Sequence, residues 1–143
     1  MTHLPLEGNR ASERNMVQHF RDIDGQCHCG AVQFRIRIAT ESTAIECNCS
    51  ICFASGFLHL PVRAEDFQLI EGHDVLTTYR FNTKVAQHTF CRICGVKPFY
   101  RPRSHPEDFS VNVRCLELHD THSFNVVPFD GRRWEENISR FPT

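Results

Sequence analysis

The sequence predicts an all-β fold with minor helix, held together by metal sites rather than by disulfides. Three observations carry this. Short apolar runs are broken by turn signals about every 8 to 12 residues, the pattern of a strand-built domain. Val32, Phe34, Ile36 and Ile38 alternate with Gln33, Arg35 and Arg37, the clearest period-2 stretch in the chain. Seven of the 8 cysteines fall into three tight groups: Cys27 with Cys29, Cys47 with Cys49 and Cys52, and Cys91 with Cys94.

Taken in order, residues 1–16 are polar, without periodicity, and read as a loose tail; residues 17–140 read as a single domain. Val17 to Asp22 is a candidate first strand that ends at an Asp24-Gly25 turn. Cys27 to Gly30 makes a first knuckle, and the alternating stretch follows as a strand with one wet face. Thr43 to Cys47 is a short strand that delivers the chain into the three-cysteine loop. Phe57 to Val62 leaves that loop, with Pro61 suggesting an edge or a strand end. Ala64 to Asp66 reads as a turn or one helical turn. Phe67 to Ile70 and Val75 to Phe81 are further strands, divided at Gly72. Val85 to Phe90 follows a tight connection at Asn82-Thr83 and feeds a second knuckle at Cys91. Val96 to Tyr100, a Pro-rich loop from Arg101 to Pro106, and a strand from Phe109 to Cys115 come next. A last strand, Ser123 to Phe129, stops at Asp130-Gly131, and Trp134 to Arg140 reads as a short terminal helix.

Composition narrows the classes of function. The 143 residues are 41% hydrophobic and 23% charged, with a formal charge of −1, which suits a soluble globular domain. No basic stripe of the kind nucleic-acid binders carry is present, and no apolar run is long enough to span a bilayer. The first 20 residues lack an apolar signal-peptide core, so a cytoplasmic location is expected and a disulfide framework is not.

A thiol buried only for packing has no reason to cluster as these do. Cysteine spacings here match neither ferredoxin run, which argues against an iron–sulfur cluster. A structural zinc takes four ligands, and seven clustered cysteines divide as four plus three. The two pairs that end in glycine, at Gly30 and Gly95, look like equivalent halves of one site, because glycine can take φ > 0 and turn backbone N–H groups towards sulfur. Cys27, Cys29, Cys91 and Cys94 are therefore assigned to a closed structural site. Cys47, Cys49 and Cys52 are left to hold a second metal with one position open, the arrangement of a catalytic zinc. The count does not force this pairing; four ligands could also come from the first two clusters. His59 or His88 could close the three-cysteine site, making it structural. Cys115 stands alone and reads as a core thiol.

Cys27-His28-Cys29-Gly30-Ala31-Val32, the run Cys47 to Cys52, and Cys91-Arg92-Ile93-Cys94-Gly95-Val96 together resemble the glutathione-dependent formaldehyde-activating enzyme family. Phe81-Asn82-Thr83, Ala86 to Phe90, Phe99 to Ser104 and Phe129-Asp130-Gly131 are most similar to its centromere protein V branch. The resemblance covers roughly Gln18 to Glu136. It implies a β-rich Mss4-like fold with the same division of ligands and two Zn²⁺ per chain. It further implies a carbon–sulfur lyase acting on a glutathione–formaldehyde adduct, with the thiol as fourth ligand of the zinc held by Cys47, Cys49 and Cys52. Glutathione's carboxylates would want basic partners, and Arg63, Lys84, Arg101 and Arg103 are available. The competing reading is a non-catalytic zinc domain that binds a protein partner.

Overall fold

The computed structural model describes residues 19–117 and 124–140. The expected tail at residues 1–16 lies outside these, as do the first two residues of the expected first strand. In chain order the described residues form ten strands: β1 (Phe20–Gln26), β2 (Gln33–Ala39), β3 (Thr43–Cys47), β4 (Leu58–Val62), β5 (Phe67–Glu71), β6 (Leu76–Tyr79), β7 (His88–Cys91), β8 (Phe99–Tyr100), β9 (Phe109–Asn112) and β10 (Asn125–Phe129). The described residues also form two short α-helices, α1 (Ser50–Ser55) and α2 (Trp134–Asn137), and several 3-10 turns. The predicted all-β class is what the strands show.

Alternation decides β2. Phe34, Ile36 and Ile38 are buried while Gln33, Arg35 and Arg37 are exposed, as a strand with one wet face requires. Beside it β1 continues through Asp24 and Gly25 instead of turning there. Gly25 pairs with Phe34, and a Cβ at position 25 would run into the Phe34 ring. The glycine is a place for an aromatic ring to lie across the partner strand, which a turn signal in sequence does not reveal. Asp24 pairs with Arg35 across the same ladder at 2.6 Å, and this exposed bridge lowers the Asp24 pKa chiefly through its hydrogen bond.

The strands form three sheets: β1-β2-β5, the five-stranded β10-β3-β4-β9-β8, and the β6-β7 hairpin. Most neighbours are antiparallel, but β10 lies parallel to β3, so that Phe129 stands beside Cys47 at the ends of both strands. Pro61 sits in β4, a central strand. The pairing with β3 covers only Leu58 and His59, so at Pro61 the strand is bonded on the β9 side alone. A proline is tolerated there because no second ladder needs its missing N–H.

β4 has two apolar-rich faces with different uses. Leu58, Leu60 and Val62 join the core with Ile36, Val111 and Phe99, whereas His59 and Pro61 face a cavity on the other side. Phe34, Phe67, Phe99 and Phe109 pack at ring separations of 4.0 to 5.9 Å and fill the space between the first two sheets. Edge-to-face and offset pairs of this sort add to plain burial.

Two further expectations are corrected. The three-cysteine loop does not run straight into β4; it opens α1, whose first-turn amide at Phe53 donates to the Cys49 carbonyl and which ends at a left-handed Gly56. The strand expected from Phe109 to Cys115 stops at Asn112. The Asn112 side chain accepts from the Arg114 amide at 3.1 Å and turns Val113 to Cys115 into a 3-10 turn. An Asn that competes with the ladder for a backbone N–H ends a strand this way.

Candidate functional site

The two glycine-ended motifs fold as mirror halves of one pocket of sulfur. The Cys27 amide donates to Val32 O at 3.1 Å and the Cys91 amide to Val96 O at 2.9 Å; Gly30 and Gly95 then donate back to the Cys27 and Cys91 carbonyls. Both glycines have positive φ, 82° and 78°. The knuckles aim amides at sulfur: Val32 N lies 3.3 Å from Cys27 Sγ, and Ile93 N and Cys94 N lie 3.4 and 3.5 Å from Cys91 Sγ. Hydrogen bonds of this kind favour the thiolate.

All four sulfurs lie within 4.8 Å of one another. Cys29 Sγ is 3.6 Å from both Cys27 Sγ and Cys91 Sγ. A zinc tetrahedron with bonds of about 2.3 Å has sulfur–sulfur edges of about 3.8 Å, so the donor set fits that ion. The group could hold a metal, and it joins the β1-β2 hairpin to the end of β7, two elements in different sheets.

The second group, Cys47, Cys49 and Cys52, also has its sulfurs within 4.8 Å of one another. β3 delivers Cys47, Cys49 caps α1, and Cys52 sits one helical turn further on, which brings three thiols together from six residues. Hydrogen bonds from the other two thiols hold Cys49 far below the usual thiol range, while Cys52 is pushed far up by its two sulfur neighbours and by burial. A bound cation would take all three as thiolates.

Residues 129–132 close over this group. The Asn48 amide donates to Phe129 O at 3.2 Å, and Arg132 returns two bonds, from its amide to Asn48 Oδ1 at 3.1 Å and from Nε to Asn48 O at 2.9 Å. Between them lies Gly131, where a Cβ would strike Cys47 Sγ and stand 3.0 Å from Cys49 Cβ. Only a residue without a side chain lets the three sulfurs keep their places.

His59 and His88 occupy positions that the sequence left open. Neither belongs to the three-sulfur group. His59 Nε2 is 2.9 Å from Cys52 Sγ, shorter than the edge of about 3.5 Å that a nitrogen and a sulfur sharing one zinc would span. It is a hydrogen bond to the sulfur. Burial, helped by Lys97, holds His59 down at about 3, so the ring is neutral. With Cys52 as thiolate, Nε2–H donates to Sγ and Nδ1 accepts from Ser110 at 2.8 Å or Tyr100 at 3.2 Å. Such partners fix the orientation of a ligand. Tyr100 and Ser110, opposite each other on β8 and β9, were not visible in sequence as members of the site.

A cavity of about 1,030 Å³ opens over Cys47, Cys49 and Cys52, with His59, His88 and Tyr100 also in its wall. Of the four cations expected near a ligand, the structure brings Arg63 and Arg103 to the wall and leaves Lys84 and Arg101 off it. Arg63 is paired with Glu65 and Asp66, and Arg103 lies 3.4 Å over the Trp134 ring. Arg101 instead donates to the carbonyls of Pro106 and Glu107. Arg132 and Arg133, which the sequence did not single out, line the cavity too.

Cys115 belongs to neither sulfur group. It is half-buried on the 3-10 turn, and burial pushes its thiol up to about 12. Cys115→Ala is expected to keep the wild-type metal content by elemental analysis; loss of metal would make it a ligand.

A strand-rich protein with one cluster of four sulfurs and one of three, each able to hold a metal ion, belongs to the class of metal-binding β proteins. Residues 22–127 match the description "Glutathione-dependent formaldehyde-activating enzyme". The chain belongs to that family. It is also similar to a Rhodobacter sphaeroides protein of known crystal structure, with a TM-score of 0.63 and 34% identity over 73% of this chain and 99% of that one. No described helix is long and apolar enough to cross a membrane.

Proposed function

We propose that the protein is a carbon–sulfur lyase acting on a thiol–aldehyde adduct, with glutathione as the thiol and formaldehyde as the aldehyde. The observation that carries this is the composition of the cavity floor: three converging sulfurs and no fourth protein donor among the described residues. In this reading Cys27, Cys29, Cys91 and Cys94 hold a structural Zn²⁺, and Cys47, Cys49 and Cys52 hold a second, catalytic one.

A zinc with three thiolate ligands suits a soft fourth ligand, and the chemistry it supplies is to keep an incoming thiol deprotonated at neutral pH. The chain's own residues do the rest. His59 orients Cys52, and Gly131 leaves room for the sulfurs. Arg103, Arg132 and Arg133 offer positive charge to the two carboxylates of glutathione at the rim. A cavity of this size accommodates a tripeptide. Reduced thiols of this sort belong to the cytoplasm, which is where we place the protein.

Cobalt in place of zinc tests the reading. Adding glutathione is expected to strengthen the sulfur-to-metal charge-transfer band, as one thiolate joins three. Because the thiolate is the ligand, apparent affinity should rise about tenfold per pH unit below the thiol pKa of about 8.5 and level off above it. A spectrum unchanged by thiol at every pH would leave the family's partner-binding alternative in its place.

A further inference from the structure

His88 and Lys97 form a pair that thiol binding alone does not use. Lys97 Nζ lies 2.6 Å from His88 Nδ1, 4.0 Å from the Tyr100 ring centre and 5.0 Å from that of Phe57. No carboxylate pairs with it among the described residues. An ammonium has donors and no acceptor, so Lys97 must donate to Nδ1. The ring proton of a neutral His88 then sits on Nε2. That atom has no hydrogen-bond partner among the described residues, and His88 lines the cavity over the three sulfurs.

The ring cannot easily turn away. It is 5% exposed and lies between Phe81, at 5.3 Å and 28°, and Tyr100, at 4.8 Å and 16°. Burial and the nearby Lys97 charge hold His88 down to about 4, and burial holds Lys97 down to about 8, with the Cys52 and Cys49 thiols opposing the latter shift. At neutral pH the pair is therefore a neutral imidazole backed by an ammonium.

We propose that His88 is a catalytic residue of the thiol–aldehyde reaction, donating its Nε2 proton to the aldehyde oxygen, and that Lys97 is the positioning residue that fixes its tautomer. This rests on the reading under Proposed function. In the step, the substrate thiolate forms the S–C bond and the C=O π pair moves onto oxygen. Oxygen takes the proton from Nε2 as Nδ1 takes one from Lys97; Nδ1 then returns that proton to Lys97 while Nε2 regains one from water, which carries the proton the thiol lost on binding. The product is an S-hydroxymethyl thiol, and the reverse order releases aldehyde. A charge developing on oxygen beside a preorganised donor is where such a group gains most.

Exchange between free ¹³C-formaldehyde and its glutathione adduct, followed by NMR, measures the rate; calorimetry with glutathione alone measures binding. His88→Phe keeps an aromatic ring in the stack and removes the donor. It is expected to lower kcat by on the order of 100-fold, the low end for general acid catalysis, and to leave the glutathione Kd within about twofold. His88→Gln, whose amide can reach the Nε2 position, should recover about tenfold of that loss. Ring ¹⁵N shifts should show Nε2–H and bare Nδ1 in the wild type, and a mixture of tautomers in Lys97→Met. An unchanged kcat in His88→Phe, or an Nδ1–H tautomer in the wild type, overturns this proposal alone. Glutathione binding without any exchange in the wild type overturns the lyase reading and this proposal with it.

Discussion

Cys91→Ser is expected to melt far below the wild type, or not to fold at all. Cys91 is fully buried, accepts two amide hydrogen bonds, and stands 3.6 Å from Cys29, 62 residues earlier in the chain. A structural zinc contributes roughly 10 kcal/mol in small domains, against a total stability of about 5 to 15 kcal/mol. Losing one of four thiolates would therefore remove most of what holds the β1-β2 hairpin to the end of β7. Cys52→Ser is the control, because its group draws all its ligands from six consecutive residues and staples nothing distant. Thermal melts with metal analysis should show that variant folded and short of one of two metals. Equal damage from both would mean that both sites are structural or that the ligands are divided differently.

Gly131→Ala adds one methyl group and is expected to lose the second metal and thiol binding together. The new Cβ would lie on Cys47 Sγ and crowd Cys49. Neither side can readily give way, since three hydrogen bonds tie the two loops together: the Asn48 amide donates to Phe129 O, and the Arg132 amide and Nε donate to Asn48 Oδ1 and O. Overpacking of this kind costs about 1 to 3 kcal/mol, which the fold can bear and a ligand sphere cannot. Metal content should fall from two to one with a melting temperature only modestly lower, and the glutathione response of the cobalt protein should disappear. Two metals and normal thiol affinity in Gly131→Ala would show that the segment after β10 has no part in shaping the site.

Periodicity and cysteine spacing made much of this molecule legible. β2 announces itself because one face is wet and the other dry, so the chemistry of each side chain records its direction. The two knuckles are legible for a similar reason: ligand spacing and the following glycine are local, and the hydrogen bonds that define them close within five residues. β3 is legible down to its bounds, since Cys47 ends both the strand and the apolar run.

What the sequence pattern missed had both distant and local causes. Asp24-Gly25 has turn chemistry, yet it lies inside β1, because the Phe34 ring on the next strand needs the space of a missing side chain. Phe109 to Cys115 has strand periodicity, but one Asn112 side chain captures an amide and ends it. α1 is too short to show a helical period, and its one buried residue, Cys52, serves the sulfur cluster rather than a packing stripe.

The sequence by itself determined the strand-rich class and the three tight groups of cysteines, because each depends on residues close together along the chain; joining Cys27 and Cys29 to Cys91 and Cys94 took the fold. Tertiary structure alone decided the rest of the site. The parallel pairing of β10 with β3 brings Gly131 onto Cys47 and Arg132 onto Asn48, 84 residues earlier in the chain. Register across β4, β9 and β8 puts His59, Ser110 and Tyr100 on one face, and the fold of the chain after Cys94 lays Lys97 against His88. Local spacing can place a ligand, but only pairing between distant strands can choose what stands behind it.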